Sequence, residues 1–129
     1  MPFTDAERSF LTSTHLGRIA TASASGEPDA AVVTFLVHAN GDIEITGMDN
    51  TRTRKYHNVK ANPRASFVVD DLASVDPWQP RGVKVTGAVR IGEDARGRPS
   101  LVVAPETVWS WGINDDADTV FGPIEKRSA

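Results

Sequence analysis

Hydrophobic and polar positions alternate in short blocks along most of the chain, the period-2 signature of strands with one face in a core. The clearest block lies at 83–91, where Val83, Val85, Val89 and Ile91 alternate with Lys84, Thr86, Ala88 and Arg90. This predicts a half-buried antiparallel strand, and the interruption at Gly87 predicts a bulge or bend in it. Residues 29–38 read differently, because Val32, Val33, Thr34, Phe35, Leu36 and Val37 are apolar or β-branched almost without a gap. A strand apolar on both faces is covered on both sides. In a small β domain it is expected to lie between the core and a partner subunit or a cofactor. Shorter strands are predicted at 16–24, 43–47, 65–70, 101–103 and 107–111. Turn signals separate them at Ser25-Gly26-Glu27-Pro28, at Asn40-Gly41 (a type I′ hairpin signal), in a loop over 72–81 and in a Gly-rich turn over 92–98.

Two stretches depart from the strand pattern. Thr4 stands three residues before Glu7, a capping-box spacing, with Phe3 placed as a hydrophobic staple; this predicts a short N-terminal helix whose Phe10 and Leu11 face the core. From Asn50 to Asn62 the chain is basic and lacks both alternation and glycine, and Pro63 closes it. It reads as a helix capped near Asn50 or Thr51. Residues 114–129 are polar apart from Val120, Phe121 and Ile124 and are expected to form a loosely held tail. Several short strands at hairpin spacing with one helix inserted midway suggest a small β-barrel in a single domain, 1–129. Pattern alone does not fix the topology.

At 129 residues the chain can bury one core without staples, but it has little room for a deep private pocket, so a site shared between subunits is favoured. The net charge of −3, from 14 Lys+Arg against 17 Asp+Glu, argues against a dedicated nucleic-acid binder. There is no cysteine, which excludes disulfides, thiolate metal sites and thiol catalysis. The N-terminal residues lack the basic-then-apolar profile of a signal peptide, and no apolar run approaches the ~20 residues of a membrane span. The expected location is the cytoplasm.

Candidate chemistry concentrates in the basic segment. Arg52, Arg54 and Lys55 cluster at the predicted helix start among Thr51 and Thr53. Cations normally avoid that end because the helix dipole is already positive there. A bound anion would remove the conflict, with free amides, hydroxyls and cations converging on it; a solvated basic face is the other reading. Trp109 and Trp111 are two apart, so a strand would point both to one face, as core, as interface or as an aromatic wall for a flat ring. Trp78, between Pro77 and Pro80, reads as a loop plug or a pocket edge. His15, His38 and His57 share no metal-like spacing, and the Asp70-Asp71 and Asp115-Asp116 pairs lie in different segments, so no metal is expected. There is no Gly-x-Ser-x-Gly, no P-loop and no Gly-x-Gly-x-x-Gly. An enzyme of this composition would leave the chemistry to a cofactor.

Several motifs then fall into a familiar order: Leu16-Gly17-Arg18-Ile19-Ala20-Thr21, Gly26-Glu27-Pro28, Val32-Val33-Thr34-Phe35, and Thr53-Arg54-Lys55 eight residues before Asn62-Pro63. Phe67-Val68-Val69-Asp70-Asp71, Pro77-Trp78-Gln79-Pro80-Arg81-Gly82 and Trp109-Ser110-Trp111-Gly112 follow. Nearly end to end, the chain resembles the pyridoxamine 5′-phosphate oxidase-like split β-barrel superfamily, and more closely its branch of F420-dependent oxidoreductases. The resemblance implies a mainly β fold with a few helices, a six-stranded antiparallel split β-barrel of the FMN-binding split-barrel type. It also implies a homodimer with two equivalent cofactor sites at the interface. Carried over residue by residue, Val32, Val33 and Thr34 would line the cofactor ring, and Thr46 and Gly47 would offer backbone groups to its polar edge. Thr53, Arg54 and Lys55 would hold its phosphate. Trp78 and Trp111 would supply aromatic contacts, in part from the partner chain.

The activity implied is an F420H2-dependent reductase passing a hydride to an electron-poor C=C or C=N of a small organic substrate, with no catalytic side chain singled out. An FMN-dependent flavoprotein of the same fold is the alternative, and a non-catalytic carrier of deazaflavin, flavin or haem belongs to another class. The oxidase closes its substrate site with a C-terminal Trp and Arg, whereas Arg127 here falls in the predicted tail, so pyridoxamine phosphate oxidation is not expected. Residues 92–99 match no pattern of the superfamily; Arg96 and Arg98 would either grip a polyglutamate tail or be solvated.

Overall fold

The structure is a computed structural model, described here for residues 2–114 and 124–129. In chain order its elements are α1 (Asp5–Ser13), β1 (Leu16–Ala22), β2 (Pro28–Val37), β3 (Ile43–Thr46), a single 3₁₀ turn (Asn50–Arg52), α2 (Arg54–Ala61), β4 (Arg64–Ser74), β5 (Gln79–Glu93), β6 (Pro99–Trp111) and β7 (Glu125–Ser128). The strands are antiparallel in the order β3-β2-β1-β4-β5-β6-β7, and a β3–β6 pairing closes the first six into a barrel. The barrel is split along β6. Residues 101–103 pair with β3, whereas 107–110 pair with β7. The interruption predicted at Gly87 is a bulge: Thr86 faces Thr107 but Gly87 faces Pro105, leaving Glu106 as the extra residue. Glu106 turns its carboxylate to Arg64 (3.0 and 3.3 Å), which chiefly holds its carboxyl below the usual range, and to the Ala88 amide (2.8 Å), which adds to that.

Inward-facing positions of every barrel strand fill the core, with Ile19, Ile43, Ile45, Phe67, Val69, Val83, Val85, Leu101, Val103 and Val108 almost fully buried. Phe35 meets Phe67 edge-on, ring centroids 5.0 Å apart. Helix α1 adds Phe10 and Leu11, and its predicted capping box is formed in both directions, Glu7 N–H to Thr4 Oγ1 (3.1 Å) and Thr4 N–H to Glu7 Oε1 (3.0 Å). On α2, Val59 joins the core and Asn58 donates to the buried Thr21 hydroxyl at 3.0 Å.

Four expectations are corrected. The hairpin at Asn40-Gly41 is not type I′, which needs two left-handed residues. Among the described residues only glycines have positive φ, and Gly41 (φ 95°) takes the last position of a turn that needs a single left-handed residue, in which His38 N–H meets Asp42 O and Gly41 N–H meets His38 O. The same geometry recurs at Ser23–Glu27 and Asp94–Arg98. The loop expected over 72–81 is largely strand, because the Asp71–Arg81 fork (2.8 and 2.6 Å) clamps β4 and β5 and pairing continues to Ser74 and Gln79. The two pieces at 101–103 and 107–111 are one strand carrying the bulge. Finally, the end of the expected tail is β7. Its Arg127 forms an ion pair with Glu7, fully buried in α1, and donates to Pro2 O (2.6 Å), tying the C-terminus to the first helix. The polar tail residues 115–123, Asp115-Asp116 included, lie outside the described residues. Among the described residues no helix is long and apolar enough to cross a membrane.

Candidate functional site

The site begins in the β2–β3 hairpin. Alternation points Val32, Thr34 and Leu36 of β2 to the outer face while Val33 and Phe35 turn inward. Thr34 pairs with Thr46 across the hairpin, and their hydroxyls are bonded at 2.7 Å. After Thr46 the chain leaves the sheet through Gly47-Met48-Asp49 and enters α2. Asn50 fixes that path: its buried amide donates to Ile45 O (3.3 Å) and Pro99 O (3.1 Å). Asp49 caps the 3₁₀ turn by accepting from the Thr51 amide at 3.1 Å and from the Thr51 hydroxyl.

Helix α2 starts two or three residues later than the sequence suggests. Its cap is Thr53, with extended backbone, rather than Asn50 or Thr51, because the 3₁₀ turn takes up those residues first. The Thr53 hydroxyl accepts from the Tyr56 amide (3.3 Å) and gives its proton to Asn50 O (2.6 Å). With that proton spent inside the chain, the group that Thr53 was expected to offer a phosphate is already in use. The amides of Arg54 and Lys55, the first two of the helix, have no intrahelical partner.

Hairpin, turn and helix start enclose an open cleft of about 300 Å³, lined by Leu16, Val32, Val33, Thr34, Thr46, Gly47, Met48, Asp49, Asn50, Thr53 and Lys55. Lys55 is its cation. Partial burial lowers the ammonium's pKa below the ordinary lysine value, and the field of Asp29 opposes that shift. No carboxylate among the described residues forms a salt bridge with Lys55. A partly desolvated ammonium without an ion-pair partner, beside two free amides, is a donor set suited to an oxyanion such as a phosphate.

The structure therefore brings together Val32, Val33, Thr34, Thr46, Gly47, Thr53 and Lys55. Arg54 is exposed at the rim rather than in the cleft, and Arg52, with an 87% exposed side chain, pairs with Asp49 at 3.3 Å. Trp78 is exposed at the tip of the β4–β5 hairpin, and Trp111 lies flat over Gly82, where a Cβ would collide with the indole. Neither tryptophan reaches the cleft of its own chain. Leu16, Met48, Asp49 and Asn50 were missed by sequence reasoning. The Asx chemistry at Asp49-Asn50 was the available signal, since such residues bond local backbone at turns.

The cleft opens onto a continuous sheet face. One register row crosses six strands as Val32, Arg18, Val68, Lys84, Trp109 and Lys126. Trp109 carries Lys84 Nζ at 4.2 Å and Lys126 Nζ at 5.6 Å over its ring, and Arg18 pairs with Asp70 at 2.5 Å. Leu16, Val32 and Leu36 stand 51%, 63% and 54% exposed on this face. Arg98, one of the two arginines of the unassigned 92–99 stretch, is held by Asp94 within its own turn (2.9 Å). Among the described residues no three His, Cys, Asp or Glu side chains are grouped to hold a metal ion.

Comparison with known proteins agrees with this architecture. The family model for pyridoxamine 5′-phosphate oxidase matches residues 3–112. A 5a,11a-dehydrotetracycline/5a,11a-dehydrooxytetracycline reductase of Streptomyces rimosus is 38% identical over 127 residues, covering 92% of this chain and 89% of that protein. Among solved structures, a heme binding protein from Mycobacterium smegmatis superposes with a TM-score of 0.73 at 19% identity; the match covers 99% of this chain but only 59% of that one. An FAD binding protein from the same organism gives 0.66 at 19% identity, over 84% of this chain and 94% of the other. At those identities the two structures speak to the fold. The family match spans most of the chain and the fold is the split barrel, and so the chain belongs to the pyridoxamine 5′-phosphate oxidase family.

Proposed function

We propose that the chain is an oxidoreductase that uses reduced F420, acting as a homodimer on a small unsaturated organic substrate. The single observation that carries the reading is the cleft itself, where a flat wall from β2 and β3 meets the unpaired Lys55 ammonium at the start of α2. Its closeness to a reductase at 38% identity over nearly the whole chain supports the class of reaction. Reduced F420 supplies a hydride. The chain supplies position: Lys55 with the Arg54 and Lys55 amides to hold a phosphate, Val32 and Thr34 to seat a ring, and the Thr46–Gly47 backbone to meet its polar edge.

The rim favours the deazaflavin over FMN. FMN ends in a bare phosphate, whereas F420 continues past its phosphate into an anionic tail. Arg52 and Arg54, next to Lys55 in sequence and outside the cleft lining, are exposed, which suits a ligand that extends outward past Lys55. The dimer rests on the apolar outer face, where exposed Leu16 and Val32 line the cleft and leave its ring wall bare in a single chain.

The test is turnover. Purified protein is supplied with F420H2 and 5a,11a-dehydrooxytetracycline, and F420 formation is followed by absorbance. Oxidation that depends on protein and acceptor is expected, and K55E should lose about 100-fold in F420 affinity by losing a charge-assisted contact and gaining repulsion. Equal F420 affinity in K55E would remove the phosphate assignment.

A further inference from the structure

A second cleft, of about 560 Å³, lies at the tip of the same hairpin, and it contains the one imidazole–carboxylate pair among the described residues. Glu44 of β3 is 5% exposed although its register partners Leu36 and Val102 are apolar. Its Oε2 accepts from Ser100 Oγ (2.7 Å) and its Oε1 faces His38 Nε2 (3.1 Å). Burying a carboxylate is costly, and an apolar side chain would fill this strand position with less penalty. What the carboxylate does is orient a ring. With Nε2–H donated to Glu44, a neutral His38 carries its bare acceptor on Nδ1, and the side chain is half exposed at the cleft wall. Asp42 and Arg90 also line this cleft, but they are paired with each other at 3.0 Å; Glu93 lines it too, and Arg8 donates to the His38 carbonyl.

This cleft shares the outer face of β2–β3 with the cofactor cleft. Thr34 and Leu36 alternate along β2 with His38 just past its end, and Thr46 and Glu44 along β3 with Asp42 just before its start, so that exposed Leu36 is an apolar step between the two clefts. From Thr34 to His38 is four residues, about 13 Å of strand. We propose that the hairpin-tip cleft is the distal substrate subsite: it takes the phenolic or enolic hydroxyl edge of a planar molecule of several fused rings, with His38 Nδ1 accepting the hydroxyl proton in a hydrogen bond and Glu44 positioning the imidazole. That the far end of such a molecule is reduced rests on the function proposed above; the binding does not.

The probes are 2,6-dihydroxyanthraquinone, whose hydroxyls are free of the quinone carbonyls, and anthraquinone, titrated by absorbance into wild type, H38L, E44Q, E44L and K55E. Wild type should bind the dihydroxy probe at least tenfold more tightly than anthraquinone. H38L should erase that difference while leaving F420 affinity unchanged, and K55E should keep the difference while losing F420. E44Q, which retains an acceptor for Nε2–H, should keep the Nε2–H tautomer in the ¹⁵N spectrum of the His38 ring and most of the selectivity. E44L should lose both. Equal binding of the two probes by wild type and H38L, or binding of neither, overturns the subsite. Selective probe binding without any F420 binding would leave the subsite standing and overturn the cofactor.

Discussion

Lys55 and Glu7 show how one residue's surroundings set its work. Lys55 sits partly dry with no salt bridge among the described residues, so its charge is available to a ligand. Glu7 is the opposite case: burial alone would raise its carboxyl, but Arg127, Ser110, the Thr4 amide and Asn114 outweigh that and hold it at about 2. A carboxyl whose folded pKa lies below its ordinary 4.5 adds stability that is complete above that value and is lost as pH falls toward 2. Urea unfolding of E7Q should therefore show a deficit of about 3 kcal/mol at pH 7 that shrinks between pH 4.5 and 2. A deficit independent of pH would mean that the charge of Glu7 contributes nothing. Thr53 provides a second test at this scale. Because its hydroxyl caps α2, T53A should cost about 1 kcal/mol of stability and leave cofactor affinity within a few-fold. A large loss of affinity with little change in stability would return the hydroxyl to the phosphate, as the resemblance implies.

At the scale of elements, the strands were legible wherever alternation was clean, as over 83–91, and the bulge was legible because Gly87 broke that alternation. The capping box of α1 was legible for the same reason, a local rule with a local cause. What the pattern missed depended on distant partners. β7 forms because Arg127 finds Glu7 across the whole chain and because β6, past its bulge, has no pairing left with β3. The start of α2 shifted because Asp49 and Asn50 are spent on a 3₁₀ turn whose anchor, Pro99 O, is far away in sequence. Asn50 is thus the pin that sets the cleft floor. N50A should cost about 2 kcal/mol in stability, from the two hydrogen bonds lost at a buried position, and should weaken cofactor binding as well. Unchanged affinity in a destabilised N50A would separate the pin from the site.

For the whole molecule, the doubly apolar strand β2 is the feature that reaches furthest. One of its faces is core, and the other lies open in a single chain beside the cleft, where the sequence led one to expect a partner subunit or a cofactor. Seven of the ten residues expected at the cofactor meet in that cleft; Arg54 stands at its rim, and Trp78 and Trp111 lie elsewhere on the surface. A partner chain would have to supply any aromatic wall, and no local sequence rule reports on a second copy. Sedimentation should find a dimer for wild type and a monomer for V32E, which places a charge on the apolar face. A monomeric wild type would contradict the shared site.

Parallel fluorescence titrations with F420 and with FMN are the direct test of the proposed deazaflavin site in this barrel. Micromolar or tighter binding of F420 is expected, with FMN at least tenfold weaker, because the exposed arginines beside Lys55 would engage a tail that FMN lacks. Tighter binding of FMN, or binding of neither, would contradict it.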